Sequence, residues 1–229
     1  MSAPLIRWFT VAAILLGVYG LYLGLFVAPT DYQQGESYRI IFIHVPAAWL
    51  SLFVYMVMAI SAGIGIIWQI RLADMVAAAS APIGASFAFL ALVTGSLWGK
   101  PMWGAYWVWD ARLTSELILL LLYLCYMALQ SAIEDQRSAD KASGLLAIVG
   151  VVNIPIIHYS VEWWNTLHQG ATITKFDKPS MHIDMLIPLL LMAVAFKLFY
   201  AALVLVRTRN EALYRDRNRR WVRELIEEL

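Results

Sequence analysis

The chain has 229 residues, 61% of them hydrophobic and 14% charged, with a mean hydropathy of +0.67 and a formal net charge of +1. A water-soluble domain carries about a quarter charged residues, so the composition excludes one and predicts an all-α integral membrane protein. The single cysteine, Cys125, excludes an intrachain disulfide, and with no C-x-x-C-H the chain is not itself a c-type cytochrome.

A membrane-crossing helix needs about 20 apolar residues. Six stretches meet or approach that length: 8–27, 46–68, 75–97, 113–131, 142–159 and 184–206. No polar or Pro/Ser-rich block divides them, so 1–229 is expected to form one membrane domain, with a basic tail over 207–229. The first stretch is too long for a signal-peptide core and lacks a small-x-small cleavage site, so it reads as an anchor. Its Gly20 and Gly24 form a G-x-x-x-G, a spacing that close helix packing uses and that chance also produces. After a short polar loop, His44-Val45-Pro46 opens the second run. Proline favours the first helical position, so this helix is expected to begin at Pro46, with His44 at its mouth.

Between the third and fourth runs, residues 98–114 read WGKPMWGAYWVWDARLT and hold Trp98, Trp103, Trp107 and Trp109. Gly99, Pro101 and Gly104 argue against a continuous helix through the first half of this stretch. Tryptophan gathers at membrane interfaces, but four in one loop are denser than an ordinary belt. Large flat rings beside flexible backbone suggest a platform for something flat, apolar and large. Residues 95–100 approach a phosphate-binding loop, yet the spacing is one short and Pro101 follows, so any ATP hydrolysis must come from a partner.

The loop over 160–183 carries Glu162, Trp163, Trp164 and His168. Lys197 snorkels from the last run. In the tail, Leu213, Tyr214, Trp221, Val222, Leu225, Ile226 and Leu229 have roughly helical spacing, which fits an amphipathic helix on lipid or simply charge that sets topology. Six crossings put both termini on one side. That side holds Arg7, Arg71, Arg137, Lys141 and seven tail arginines; the other holds Arg39, Lys100, Arg112, Lys175 and Lys178. The positive-inside rule then places both termini in the cytoplasm and all four histidines, with the Trp-rich stretch, at the outer face.

Imidazole is a common axial ligand of haem iron. For a porphyrin, this outer face offers aromatic walls, with Trp163 and Trp164 as further candidates. It also offers histidines, and Arg112 or Lys100 for the propionates. Asp110 would orient an imidazole or pair with Arg112. Each histidine also reads as a cap or a hydrogen-bonded interfacial residue, and spacing does not choose two of the four. Zinc would recruit a denser set of Cys, His or carboxylate ligands. Glu116, one turn into the fourth run, is an intramembrane carboxylate and so a functional candidate; it also reads as reaching back toward Arg112.

The pattern Trp98-Gly99, Trp103-Gly104, Trp107, Trp109-Asp110, Arg112-Leu113-Thr114 resembles the WWD signature of haem-handling membrane proteins of cytochrome c maturation. Residues 31–49 (DYQQGESYRIIFIHVPAAW) and 153–170 (NIPIIHYSVEWWNTLHQG) agree, so the resemblance covers nearly the whole chain. The CcmC, CcmF and CcsA branches share the signature; the latter two are longer with more spans, so the length resembles the CcmC branch. The resemblance implies His44 and His168 as the axial haem ligands, and leaves His158 and His182 without that role. It implies transient, non-covalent haem b, ABC-type partners CcmA and CcmB, a small membrane partner CcmD, and delivery to the periplasmic chaperone CcmE. It also implies a multi-pass protein of a bacterial inner membrane, in contact with lipid and not with nucleic acid, and a transfer factor in place of a conventional enzyme. Rival readings are an ABC-transporter permease subunit with no haem site of its own, a CcsA-like haem exporter, and a b-type redox cytochrome. A permease would want polar residues at mid-membrane depth.

Overall fold

A computed structural model describes residues 3–164, 166–168, 170, 173 and 178–227. Of the residues invoked above, Asn165, Gln169, Lys175 and Leu229 lie outside the described residues, as does the side chain of Ile226. The described residues form eight α-helices and no strand: α1 (Ala3–Tyr22), α2 (Ile41–Trp68), α3 (Arg71–Trp103), α4 (Ala111–Ala132), α5 (Gln136–Gly150), α6 (Asn153–Trp163), α7 (Ile183–Arg215) and α8 (Arg220–Glu227). Six helical stretches are long and apolar enough to cross a membrane, with α5 and α6 together making the fifth.

Several helix boundaries differ from expectation, α5 among them, which begins at Gln136 and takes Arg137, Asp140 and Lys141 into the helix; three differences bear on the site and the tail. A 3-10 turn over Glu36–Ile40 leads straight into α2 at Ile41, so Pro46 lies inside the helix and His44 is a helical residue. The missing proline N–H costs one intrahelical bond, to the Phe42 carbonyl. Burial of Phe42, Pro46, Ala47 and Leu50 along one face offsets that loss. Likewise α3 continues through Gly99 and Pro101 to Trp103, against the expected break. Pro101 stands in the last turns, where only the Leu97 carbonyl loses its partner. A Cβ on Gly99 would lie 3.0 Å from the Trp103 ring, so this glycine serves packing. The stop is Gly104, left-handed at φ 76°, with its N–H donating to the Lys100 carbonyl at 3.1 Å.

The third difference is the tail. Helix α7 does not end near residue 206 but runs on to Arg215, and α8 is a separate short helix. The Arg215 guanidinium bonds both Asp140 oxygens, at 2.7 and 3.0 Å, and Glu211 at 2.6 Å. Asp216 accepts from Arg71 at 2.8 Å. Two charges at this end therefore pin α7 to the start of α5 and to the α2–α3 turn, beyond any bias on topology.

The fifth crossing steps between Gly150 and Asn153, because Pro155 offers no N–H to the Val151 carbonyl. Just past the step, Asn153 Nδ2 donates to the Ser115 carbonyl of α4 at 2.9 Å. The core centres on Tyr55 and Met58 of α2, Leu119, Tyr123 and Tyr126 of α4, and the alanine face of α3 at Ala77, Ala81, Ala85 and Ala88. Small residues on α3 let α2 and α4 close in. At the periphery α1 rests on α7: a Cβ on Gly20 would meet Met192 Sδ at 3.1 Å, and one on Gly24 would meet the Phe42 ring at 2.6 Å. Both glycines of the G-x-x-x-G thus sit at close approaches within the chain.

Candidate functional site

A cavity of about 310 Å³ opens where the N-terminal part of α2, the C-terminal part of α3, the start of α4 and the end of α6 converge. Helical periodicity builds it. Residues 44, 48, 49 and 52 share one face of α2, and 91, 95, 98 and 102 share one face of α3. Its size lies at the lower end of the range for small-molecule sites, about 300–1,000 Å³.

His44 and His168 both line the cavity. His44 Nδ1 lies 3.0 Å from the Ala91 carbonyl and 3.0 Å from Thr94 Oγ1, and its ring meets Trp98 edge-on at 5.7 Å between centroids. His168 Nδ1 lies 2.7 Å from Asp110 Oδ2, and its ring meets Trp103 at 4.7 Å. Asp110 Oδ1 meanwhile accepts from the Leu113 N–H at 2.8 Å and so caps α4. The tight contact with a carboxylate favours imidazolium, yet burial is the larger influence and drives the His168 ring below its ordinary value. At neutral pH this direction favours the neutral ring, with Nδ1–H donating to Asp110. Both histidines spend Nδ1 on an acceptor, which leaves Nε2 as the nitrogen with a free lone pair.

The cavity floor carries charge. Arg112 lines it and makes no hydrogen bond among the described residues. One turn on, Glu116 is buried; its Oε1 accepts from Ser51 Oγ at 2.8 Å, and Tyr123 donates to the Ser51 carbonyl at 2.8 Å. On the rim, Trp98 Nε1 donates to Gln34 Oε1 at 3.1 Å, tying the first loop to α3.

The Trp-rich stretch divides. Trp98 and Trp103 face the cavity from α3. Trp107 and Trp109 lie beyond the helix end and pack edge-to-face on each other at 5.3 Å, with Trp109 77% exposed. Lys100 turns away, donating to the Gly104 carbonyl at 3.0 Å and lying over Tyr106. Trp163 stacks on Tyr159 and contacts Trp164, both outside the cavity lining. His158 reaches the cavity from α6 and packs on Tyr159. His182 instead caps α7, accepting from the Asp184 N–H at 3.3 Å.

Sequence reasoning passed over Gln34, Trp49, Thr94 and Gly95. Trp49 was legible, since it lies one turn beyond Val45 on the face that carries His44. The other three have no signal of their own; they matter only through contacts between elements.

A porphyrin's demands meet a matching donor set here: two imidazoles with Nδ1 on acceptors, a tryptophan ring beside each, and a guanidinium that makes no hydrogen bond among the described residues. Among the described residues no group of three or more His, Cys, Asp or Glu gathers as for a bare metal ion.

Residues 1–223 match the family model described as "CcmC: Heme exporter protein C". The "Heme exporter protein C" of Haemophilus influenzae is 55% identical over 227 residues, 99% of this chain and 91% of that protein. That of Escherichia coli is 53% identical over 222 residues, 96% of this chain and 89% of that protein. A "Putative cytochrome c biosynthesis ccmC-like mitochondrial protein" of Marchantia polymorpha is 47% identical over 223 residues, 92% of this chain and 95% of that protein.

Proposed function

This chain belongs to the heme exporter protein C family, and from that premise we propose that it holds haem b between His44 and His168 and hands it on. The family carries the coarser statement: a multi-pass membrane protein with a role in haem handling for cytochrome c maturation. The observation that supports the site is the shared tautomer. Two rings from elements far apart in sequence line one cavity, and each keeps Nδ1 on an acceptor while Nε2 makes no hydrogen bond among the described residues. Histidines that bind metal through Nε2 have this outer arrangement.

In this reading the haem is cargo, bound non-covalently. His44 and His168 supply the axial nitrogens. Trp98 and Trp103 supply flat apolar surface, and Asp110 orients His168. Arg112 takes a propionate, and the position of Lys100 favours Arg112 over it. Trp109, exposed outside the cavity, then serves the rim, where a receiving protein approaches, with the half-buried Trp107 packed behind it. The excess of Lys and Arg near the termini supports a cytoplasmic placement of both, and so a periplasmic placement of the cavity in a bacterial inner membrane. Residues 1–229 act as one membrane domain, with the tail after residue 206 on the cytoplasmic side. The chaperone CcmE receives the haem, within a complex with CcmA, CcmB and CcmD. The chain carries no phosphate-binding loop, so energy from ATP enters through partners.

The test is a visible spectrum of the full chain purified from membranes, wild type beside His44→Ala and His168→Ala. A six-coordinate low-spin haem is expected in wild type, weakened or converted to high spin in each variant. If haem supplied in excess does not bind, or if neither substitution alters the spectrum, the haem site is lost. An ABC-type permease subunit without a haem site then becomes the better reading.

A further inference from the structure

We propose that Thr94 and Gly95 of α3 are positioning residues for His44: the hydroxyl fixes the nitrogen left free, and the absent side chain fixes where the ring lies. The inference rests on His44 as an iron ligand and adds what sets its geometry.

The tautomer follows from counting protons. A threonine hydroxyl has one proton to give. Thr94 Oγ1 lies 2.6 Å from the Leu90 carbonyl and 3.2 Å from the Ala91 carbonyl, both on its own helix, so its proton goes to that helix. Toward His44 the oxygen can then only accept. The Ala91 carbonyl, 3.0 Å from the same nitrogen, can only accept as well. His44 Nδ1 therefore carries the proton, shared between two acceptors, and Nε2 keeps its lone pair. Intrahelical back-bonding of a buried threonine is common and needs no function. What sets Thr94 apart is that its lone pairs face an imidazole on another helix.

Gly95 supplies the room. A Cβ there would lie 3.0 Å from His44 Cε1 and 3.5 Å from Nδ1. The ring lies against bare α3 backbone, and any side chain at 95 pushes it away. Residues 91, 94 and 95 fall on one helical face, so α3 presents an acceptor pair and a gap to a single ring. His168 gets its orientation differently, from the charged Asp110.

The experiment uses the full chain. Haem titrations and spectra are recorded for wild type, His44→Ala, Thr94→Val, Thr94→Ser and Gly95→Ala, with ¹⁵N-histidine NMR of the unloaded forms. Thr94→Val and Gly95→Ala are expected to weaken haem binding about tenfold, the lower end for lost outer-shell partners, and to show partial high-spin character that free imidazole reverses. Thr94→Ser should match wild type. The His44 resonance should report Nδ1–H in wild type and Thr94→Ser, and a mixed population in Thr94→Val. Thr94→Ala removes the same oxygen should the valine variant fail to fold. If His44→Ala disrupts ligation while Thr94→Val and Gly95→Ala keep wild-type spectra, affinity and tautomer, the positioning role is overturned and the ligand stands. If His44→Ala is itself silent, the ligand assignment and this inference fall together.

Discussion

Asp110, behind the cavity lining, meets His168 at 2.7 Å, and the same carboxylate caps α4 through its other oxygen. One side chain thus couples the start of a membrane helix to the orientation of an imidazole. Asn and Ala at this position separate the two duties. Asp110→Asn keeps a cap acceptor but loses the charge that holds Nδ1–H, so haem affinity should fall about tenfold or more with little change in melting temperature. Asp110→Ala loses both, adding about 1 kcal/mol of destabilisation. Haem titration and thermal melts in detergent distinguish the two.

The titration of His168 has a definite sign. Burial lowers its value below the ordinary 6.5, while Asp110 pulls upward. The folded chain therefore binds fewer protons at this ring than the unfolded chain. Its contribution to stability is complete above about pH 6.5 and is lost as pH falls from there through the folded value. NMR of the unloaded protein should show a midpoint below 6.5, and Asp110→Asn should move it lower still. A wild-type midpoint above 6.5 would contradict the neutral ring on which ligation depends.

Arg112 predicts selectivity for the cargo's acid groups. Arg112→Gln should weaken haem binding about tenfold, in line with about 1.5 kcal/mol for a hydrogen bond to a charged group. The dimethyl ester of haem, which lacks the carboxylates, should bind wild type and variant alike. Equal losses for both ligands would mean that Arg112 acts on the fold of the cavity and not on the propionates.

At the far end of the bundle, Arg215 is nearly buried against Asp140 and Glu211. Asp140→Asn leaves the guanidinium with one charged partner, Glu211, and should cost about 3 kcal/mol, the lower end for breaking a buried pair. Asp140→Asn with Arg215→Met should cost less than Asp140→Asn alone. Gln130, which donates to Asp140 at 3.0 Å, lies 14 residues along α4 from Glu116 of the cavity lining, about 21 Å, so the haem spectrum should not change in either variant. Melting curves and spectra on the same samples check both halves.

The six crossings were legible because hydrocarbon demands long apolar runs, and chemistry inside a run does not disturb the count. Helix ends were less so. Gly99 and Pro101 carry the local signature of a break, yet packing against the Trp103 ring carries α3 past them. Pro46 misled in the same way. The Trp-rich stretch read as one platform, but Trp98 and Trp103 ride on a helix face while Trp107 and Trp109 follow its end, a division that depends on where the helix stops. His44 and His168 came from family resemblance; spacing alone left four histidines open. Thr94 and Gly95 were invisible in sequence because their role exists only across the α2–α3 contact.

The two imidazoles of the cavity are separated by about 120 residues of chain. At synthesis rates of 5–20 residues per second, His168 emerges about 6–25 seconds after His44. On the proposed ligation, a nascent chain in that interval offers one of the two axial nitrogens and an unfinished pocket. Loading as proposed would then wait for the segment after the fifth crossing, so the order of synthesis would itself time cargo capture.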